Sequence, residues 1–416
     1  MAVFKPFKAL RPIPELASKI AALPYDVMNS EEAKEMVKNN PYSFLHVDKA
    51  EIDLPCCTDI YCDEVYCKAA ENLKCSEENG YCKTDEAPCF YIYRQIMNGR
   101  AQTGIVGCAD VDDYINNHIK KHELTRADKE ADRIRHVDTC DANTGPIFLC
   151  YKGNDSVASI ISQWQNKAPV YDFVTDDGIQ NTVWVIDDTC VCNEISKLLE
   201  ASGDFYIADG HHRCASAVNV AKMRREQNPD YNGTEEFNFF LAVLFPADSL
   251  EIMDYNRVVK DFNGYTEKEF IEKISEKFTV EIADCDGAYH PTEKHTFGMY
   301  LNKNWYKLTA KEGTFDKNNP VEQLDVSILQ KNLLTPVLNI GDPRTDKRID
   351  FIGGIRGLGE LERLVDGGMA VAFSMYPTTL DDLMSIADAG MIMPPKSTWF
   401  EPKLLSGLFI HKLETK

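Results

Sequence analysis

The segment from Phe205 to Arg213 limits what this chain can fold into more than any other. The apolar run Phe205-Tyr-Ile-Ala208 is the length of a short buried strand, and Asp209-Gly210 ends it with two residues that favour a tight turn. A helical pattern then starts at His211 or His212 and continues from Cys214 to Glu226, its small residues allowing close packing. A helix N-terminus presents unpaired backbone N–H groups and a partial positive charge, which suits a phosphate. His211, His212 and Arg213 add side-chain donors at the same point. Asp209 can hold Mg2+ between phosphate oxygens or accept a proton. The plainer alternative is an aspartate N-cap with surface histidines, or a zinc site. Adjacent histidines point in different directions on a helix, so they make poor zinc partners. Gly210, His211, His212 and Arg213 are therefore read as an anion- or nucleotide-binding turn.

The surrounding pattern predicts an α+β (mixed α/β) chain. Ser30 is expected to cap a helix through Val37, and Ser43 to Val47 reads as a short strand. Phe90 to Gln95 and Ala101 to Ala109 read as a hairpin closed by Met97-Asn98-Gly99-Arg100. The charged stretch from Asp112 to Val137 reads as one long helix. Strands are expected at Ile147 to Tyr151, Val183 to Ile186 and Phe237 to Phe245. Beyond these, strands at Ile349 to Ile352 and Met369 to Met375 alternate with helices at Leu358 to Val365 and Thr379 to Ala389. Ser406 to His411 reads as a final strand. The expected divisions are an N-terminal α+β region (1–110), a core (111–245) and a C-terminal α/β region (246–416).

Composition narrows the partners. Lys and Arg number 45 against 66 Asp and Glu, a formal charge of −21. Such a balance argues against nucleic acid and anionic membrane as partners, while leaving room for a small anion in a locally basic pocket. No stretch approaches the roughly 20 apolar residues of a spanning helix, and Met1 to Leu10 does not read as a signal peptide. The 14 cysteines are then expected to be mostly reduced thiols of a cytoplasmic protein. Seven of them (Cys56, Cys57, Cys62, Cys67, Cys75, Cys82 and Cys89) crowd together, but at irregular gaps with no C-x2-C pair, which favours thiols over a metal centre.

Two further constellations can carry chemistry. Lys120-Lys121-His122-Glu123-Leu124-Thr125, followed by Asp132-Arg133-Ile134-Arg135-His136, is either a solvated, ion-paired helix or a source of an acid–base group. Pro394-Pro395-Lys396-Ser397-Thr398 is either a clamp for a carboxylate or phosphate, or a rigid connector. The glycine-rich Gly353 to Gly359 lacks the lysine of a phosphate-binding loop.

These blocks carry a resemblance. With Ala22-Leu-Pro-Tyr-Asp-Val27, Lys121-His-Glu-Leu-Thr125, Asp132-Arg133, Ala208-Asp-Gly-His-His-Arg213 and Met393 to Lys403 in order, the chain resembles the bacterial and archaeal family of unknown function numbered 1015. More distantly it is similar to the free L-serine kinases of the ParB/sulfiredoxin-like superfamily. That resemblance implies a nucleotide-binding core with large N-terminal and internal additions, using Mg2+ with ATP or ADP. It implies Glu123 as the base for the substrate hydroxyl, with Asp209 assisting metal or hydroxyl. Gly210 through Arg213 would hold phosphates, and Lys396, Ser397 and Thr398 would receive the serine carboxylate or product phosphate. His122 and Arg133 are supporting candidates.

The expected activity is transfer of a nucleotide phosphoryl group to a small hydroxylated metabolite, foremost free L-serine. The rivals are a nucleotide-binding regulator, a sulfiredoxin-like thiol enzyme, and a metal hydrolase built on His211 and His212.

Overall fold

A computed structural model describes residues 1–56, 58–285 and 287–414. It is a mixed α/β structure, as the residue pattern requires, and it divides into two compact units. The first comprises Met1–Leu250 with Pro402–Lys416, the second Glu251–Glu401.

The first unit is built on a nine-stranded sheet. Its path runs Ile119–Lys120, Phe205–Asp209, Ile147–Tyr151, Phe239–Pro246, Arg100–Asp110, Phe90–Met97, Gln180–Ile186 and Tyr171–Val174, with Phe4–Lys5 paired beside Arg100–Asp110. The expected hairpin is present, with Met97 opposite Arg100 and Asn98-Gly99 in the left-handed region at its tip. Phe239–Pro246 is buried on both faces until its last residue, which explains its unbroken apolar sequence. Helices His211–Gln227 and Thr189–Ala201 contribute Cys214, Val218, Ala221, Ile195 and Leu199 to the core under this sheet. Segments 1–110 and 111–245 both supply strands to it. A second cluster joins Leu10, Leu45, Val65, Leu73 and Ile410.

Several local expectations are corrected. Asp112 to Val137 is not one helix. It breaks into Val111–Ile115, the strand Ile119–Lys120, a loop, and the helix Ala127–Cys140. Asn117 takes a left-handed turn (φ 62°), and Ile119 then pairs in parallel with Phe205, so sheet hydrogen bonds override helix propensity. Ser43 to Val47 is not a strand. Leu45–Asp48 is one helical turn, with Asp48 N donating to the Phe44 carbonyl. The cap of the Ser30–Val37 helix is Asn29, whose side chain accepts from Glu32 N while Glu32 accepts from Asn29 N. Of Ser406 to His411, only His411 lies in a strand, His411–Lys412; Ser406 and Ile410 make isolated antiparallel bridges to Ala22 and Leu10, and Gly407 turns at φ 83° against the Phe44 ring between them. Cys57 lies outside the described residues, and of the other crowded cysteines Cys56, Cys67 and Cys75 are exposed while Cys82 and Cys89 are buried.

The second unit is a six-stranded antiparallel sheet. Its order is Phe278–Ile282, Asn304–Ala310, Thr296–Leu301, Val371–Met375, Tyr255–Val259 and Ile349–Gly353. Val258, Tyr300, Trp305, Ile352, Leu361 and Ala372 form a cluster on one of its faces. No helix among the described residues is long and apolar enough to cross a membrane.

Candidate active site

The strand Phe205–Asp209 ends beside Ile147–Tyr151 with a register irregularity between Ile207 and Asp209. Gly210 follows at φ 92° and serves as N-cap of the 17-residue helix His211–Gln227. Gly210 has no side chain to offer, and no side-chain cap is formed among the described residues, so the first amides keep their affinity for an anion. The Arg213 guanidinium lies directly against Gly210: a Cβ there would meet Arg213 Nε at 3.3 Å.

Asp209 is tied down at both oxygens. Oδ1 accepts from Gly210 N at 2.9 Å and Oδ2 from Lys403 Nζ at 3.2 Å. Burial alone would raise its pKa, but Lys403, Arg213 and the Gly210 amide hold it at about 2. It is ionised throughout the physiological range.

Breaking the long charged segment has a chemical consequence. Residues 121–126 form a loop, and Glu123 leaves the helical face the sequence suggested. Its Oε2 lies 3.7 Å from His211 Nδ1, with the carboxylate side chain 43% exposed and the imidazole only 5%. His211 packs edge to face on His122 at 4.5 Å between ring centroids. Burial drives His122 down to about 4, opposed by Asp209 and by a contact to the Ile207 backbone that falls short of good hydrogen-bond geometry. Burial and the neighbouring His122 put His211 well below its ordinary value. Both rings are neutral at pH 7, so the positive charge at this corner comes from Arg213 and Lys403 rather than from imidazolium. His212 Nε2 accepts the Arg126 backbone N–H at 3.0 Å, which makes it neutral too and gives the Ala127–Cys140 helix a cap from outside its own sequence.

Arg213 Nη1 donates to the Pro146 carbonyl at 2.5 Å. Burial opposes its charge, but Asp26, Asp209, Tyr25 and Asp48 outweigh it. Arg133 sits on the Ala127–Cys140 helix with its guanidinium 4.1 Å from the Tyr25 ring centroid and Nε on Asp132. Arg133 and Arg213 line one pocket with Tyr25, Asp48 and Thr144. The first unit thus brings together Glu123, His122, Asp209, Gly210, His211, His212, Arg213 and Arg133.

Tyr25, Asp26, Asp48 and Lys403 were not singled out from sequence. Tyr25, Asp26 and Lys403 lie within the blocks that carry the resemblance, which was the available signal. Asp48 had none.

Lys396, Ser397 and Thr398 belong to the second unit. Lys396 has φ 62°, its carbonyl accepts from Arg257 Nη2 at 2.9 Å, and its ammonium lies 5.7 Å from the Tyr255 ring centroid. Ser397 is buried, and its hydroxyl donates to the Pro394 carbonyl at 2.6 Å.

Among the described residues no three His, Cys, Asp or Glu side chains converge as a metal site. Asp209 therefore fits a divalent ion only as one protein ligand among phosphate oxygens.

A comparison with curated proteins gives no match. Among solved structures, a free serine kinase variant in complex with AMP has 13% identity and TM-score 0.38, covering 78% of this chain and 94% of its own. A conserved hypothetical protein from Pyrococcus furiosus has 13% identity and TM-score 0.34, covering 72% and 92%. A C-terminally truncated SbnI from Staphylococcus aureus has 10% identity and TM-score 0.37, covering 72% and 85%. The model of the family described as "Protein of unknown function (DUF1015)" matches residues 4–327, and the chain belongs to that family.

Proposed function

We propose that this chain is a small-molecule phosphotransferase that moves the terminal phosphoryl group of ATP or ADP onto a metabolite hydroxyl, with free L-serine as the leading acceptor. The observation that carries the reading is the 3.7 Å approach of Glu123 to His211 at an uncapped helix N-terminus. The fold thereby sets a partly exposed carboxylate from the 121–126 loop beside a seat for phosphate at the start of the His211–Gln227 helix. Phosphoryl transfer asks mainly for positioning and charge neutralisation.

In this reading Glu123 takes the hydroxyl proton as the hydroxyl oxygen bonds to the terminal phosphorus. The bond from that phosphorus to the leaving nucleotide oxygen breaks, and the oxygen keeps the electron pair. Arg213 and the amides of His211 and His212 meet the charge that develops on the phosphates. Mg2+ bound with the nucleotide would neutralise further phosphate charge, with Asp209 as its protein contact. Neutral His211 orients Glu123, and His122 supports His211 from behind. Lys396, Ser397 and Thr398 keep a motif-based assignment to substrate, which Lys396→Ala tests through the KM for serine.

The test is direct. Purified protein with Mg2+, serine and either ATP or ADP is expected to yield O-phosphoserine by mass spectrometry. Glu123→Gln should lower turnover by about 100-fold or more, the range for loss of a general base, with nucleotide affinity little changed. If neither donor phosphorylates serine or any of a panel of small alcohols, the reading fails.

A further inference from the structure

The pocket shared by Arg133 and Arg213 carries charges of both signs that make no hydrogen bond or close ion pair with one another among the described residues. Arg133 is locked: Nε donates to Asp132 Oδ2 at 2.9 Å, Asp132 Oδ1 is held by the Tyr66 hydroxyl at 2.8 Å, and the guanidinium lies over Tyr25. Its two Nη groups make no hydrogen bond among the described residues. Arg213 spends only Nη1, on Pro146, and its buried Nε has no partner there. Asp48, also lining the pocket, is 5% exposed and accepts one hydrogen bond, from Thr144 Oγ1 at 2.8 Å. Neither arginine comes within ion-pair distance of it among the described residues. A cluster built for stability alone would close these charges on one another, because a buried unpaired charge is destabilising. A seat for phosphate alone has no use for a buried carboxylate facing the anion.

We propose that this pocket binds the charged end of the acceptor, and that the acceptor is a zwitterionic α-amino acid. Arg133 takes its carboxylate and Asp48 its ammonium, while Arg213, on the helix side of the pocket, stays with the phosphates. The word acceptor rests on the phosphotransferase reading, but the binding itself does not. The α-amino and α-carboxyl groups of an amino acid sit on one carbon, so a compact pocket presenting both counter-charges selects them together.

The probe is L-alanine, which has both charges and no hydroxyl to phosphorylate. Calorimetry or ligand-observed NMR on the full chain without nucleotide is expected to show alanine binding about tenfold or more tighter than propionate or ethylamine, each of which lacks one charge. Asp48→Asn should bring alanine down to the level of propionate. Arg133→Gln should weaken alanine and propionate alike, with Arg133→Lys recovering part of the loss. Should Arg133→Gln fail to fold, the wild-type ligand series decides by itself. Alanine no tighter than propionate, or inorganic phosphate tighter than alanine, overturns the proposal. Alanine binding that depends on Asp48, with no phosphorylated product from any alcohol, sinks the kinase reading and leaves the pocket standing. Serine phosphorylation with a KM unmoved by Asp48→Asn and Arg133→Lys does the reverse.

Discussion

His122 and His211 meet edge to face in a buried corner, and three of their four ring nitrogens lack a well-formed hydrogen bond among the described residues. The fold accepts such rings only as neutral bases, so both folded-state values lie below the ordinary 6.5, with His122 at about 4. Their contribution to stability is complete above pH 6.5. Between about 6.5 and 4 the unfolded chain binds protons that the folded chain refuses, and stability falls as pH falls. His136 and His411, both buried and lowered, act with the same sign, whereas His46 beside Asp53 acts against them. The urea midpoint should therefore drop steeply from pH 7 to pH 5. Leucine at position 122 leaves no buried polar atom behind, so His122→Leu should fold and should flatten that slope by about 1 kcal/mol per pH unit. An unchanged slope would show that His122 is solvated and charged in the fold.

At the scale of elements, the Asp209–Arg213 corner depends on one backbone conformation. Gly210 at φ 92° lets the strand stop, the helix start and Arg213 lie on the α-carbon. In Gly210→Ala the methyl would both strain the backbone, at about 1–2 kcal/mol, and push the guanidinium from its seat. A lower melting temperature and weaker nucleotide binding are expected together, and a variant that kept both would remove the turn from the site. This corner was legible because a buried run, a turn pair and a small-residue helix agree over nine consecutive residues. The Asp112 to Val137 segment misled because its charges suit a helix, while the pairing of Ile119 with Phe205, 86 residues away in sequence, decides its structure. Ser43 to Val47 misled because five residues cannot separate strand alternation from one helical turn. That turn sets Asp48 in the pocket, so the missed element and the missed residue are one error. The motif singles out Glu123, but its approach to His211 is set by the loop. Lys403, 194 residues from Asp209, could be joined to it only by the fold.

The first unit, taken whole, is not finished until the chain returns to it. After the second unit, Pro402–Lys416 belongs to the first again. Within it Leu404, Leu405, Leu408, Phe409, Ile410 and Leu413 are each 4% exposed or less. Ile410 exchanges both backbone hydrogen bonds with Leu10, Ser406 does the same with Ala22, and His411 Nε2 meets Glu236 at 2.8 Å. Burying a large apolar side chain is worth about 1.5–3 kcal/mol as an upper estimate, so six of them match or exceed the roughly 5–15 kcal/mol by which a domain is stable. Lys403 would be lost with them, leaving Asp209 half-buried without its strongest counter-charge. A chain ending at Glu401 is thus expected to lose the first unit as a folded body, even though every strand of its large sheet is still present. Hydrogen exchange read by mass spectrometry would check this: amides of Phe90–Met97 and Phe239–Pro246, protected in the full chain, should exchange freely in the shortened one. Protection retained in those central strands would mean that the sheet and its helices fold without the tail, and that Pro402–Lys416 serves the Asp209 corner alone.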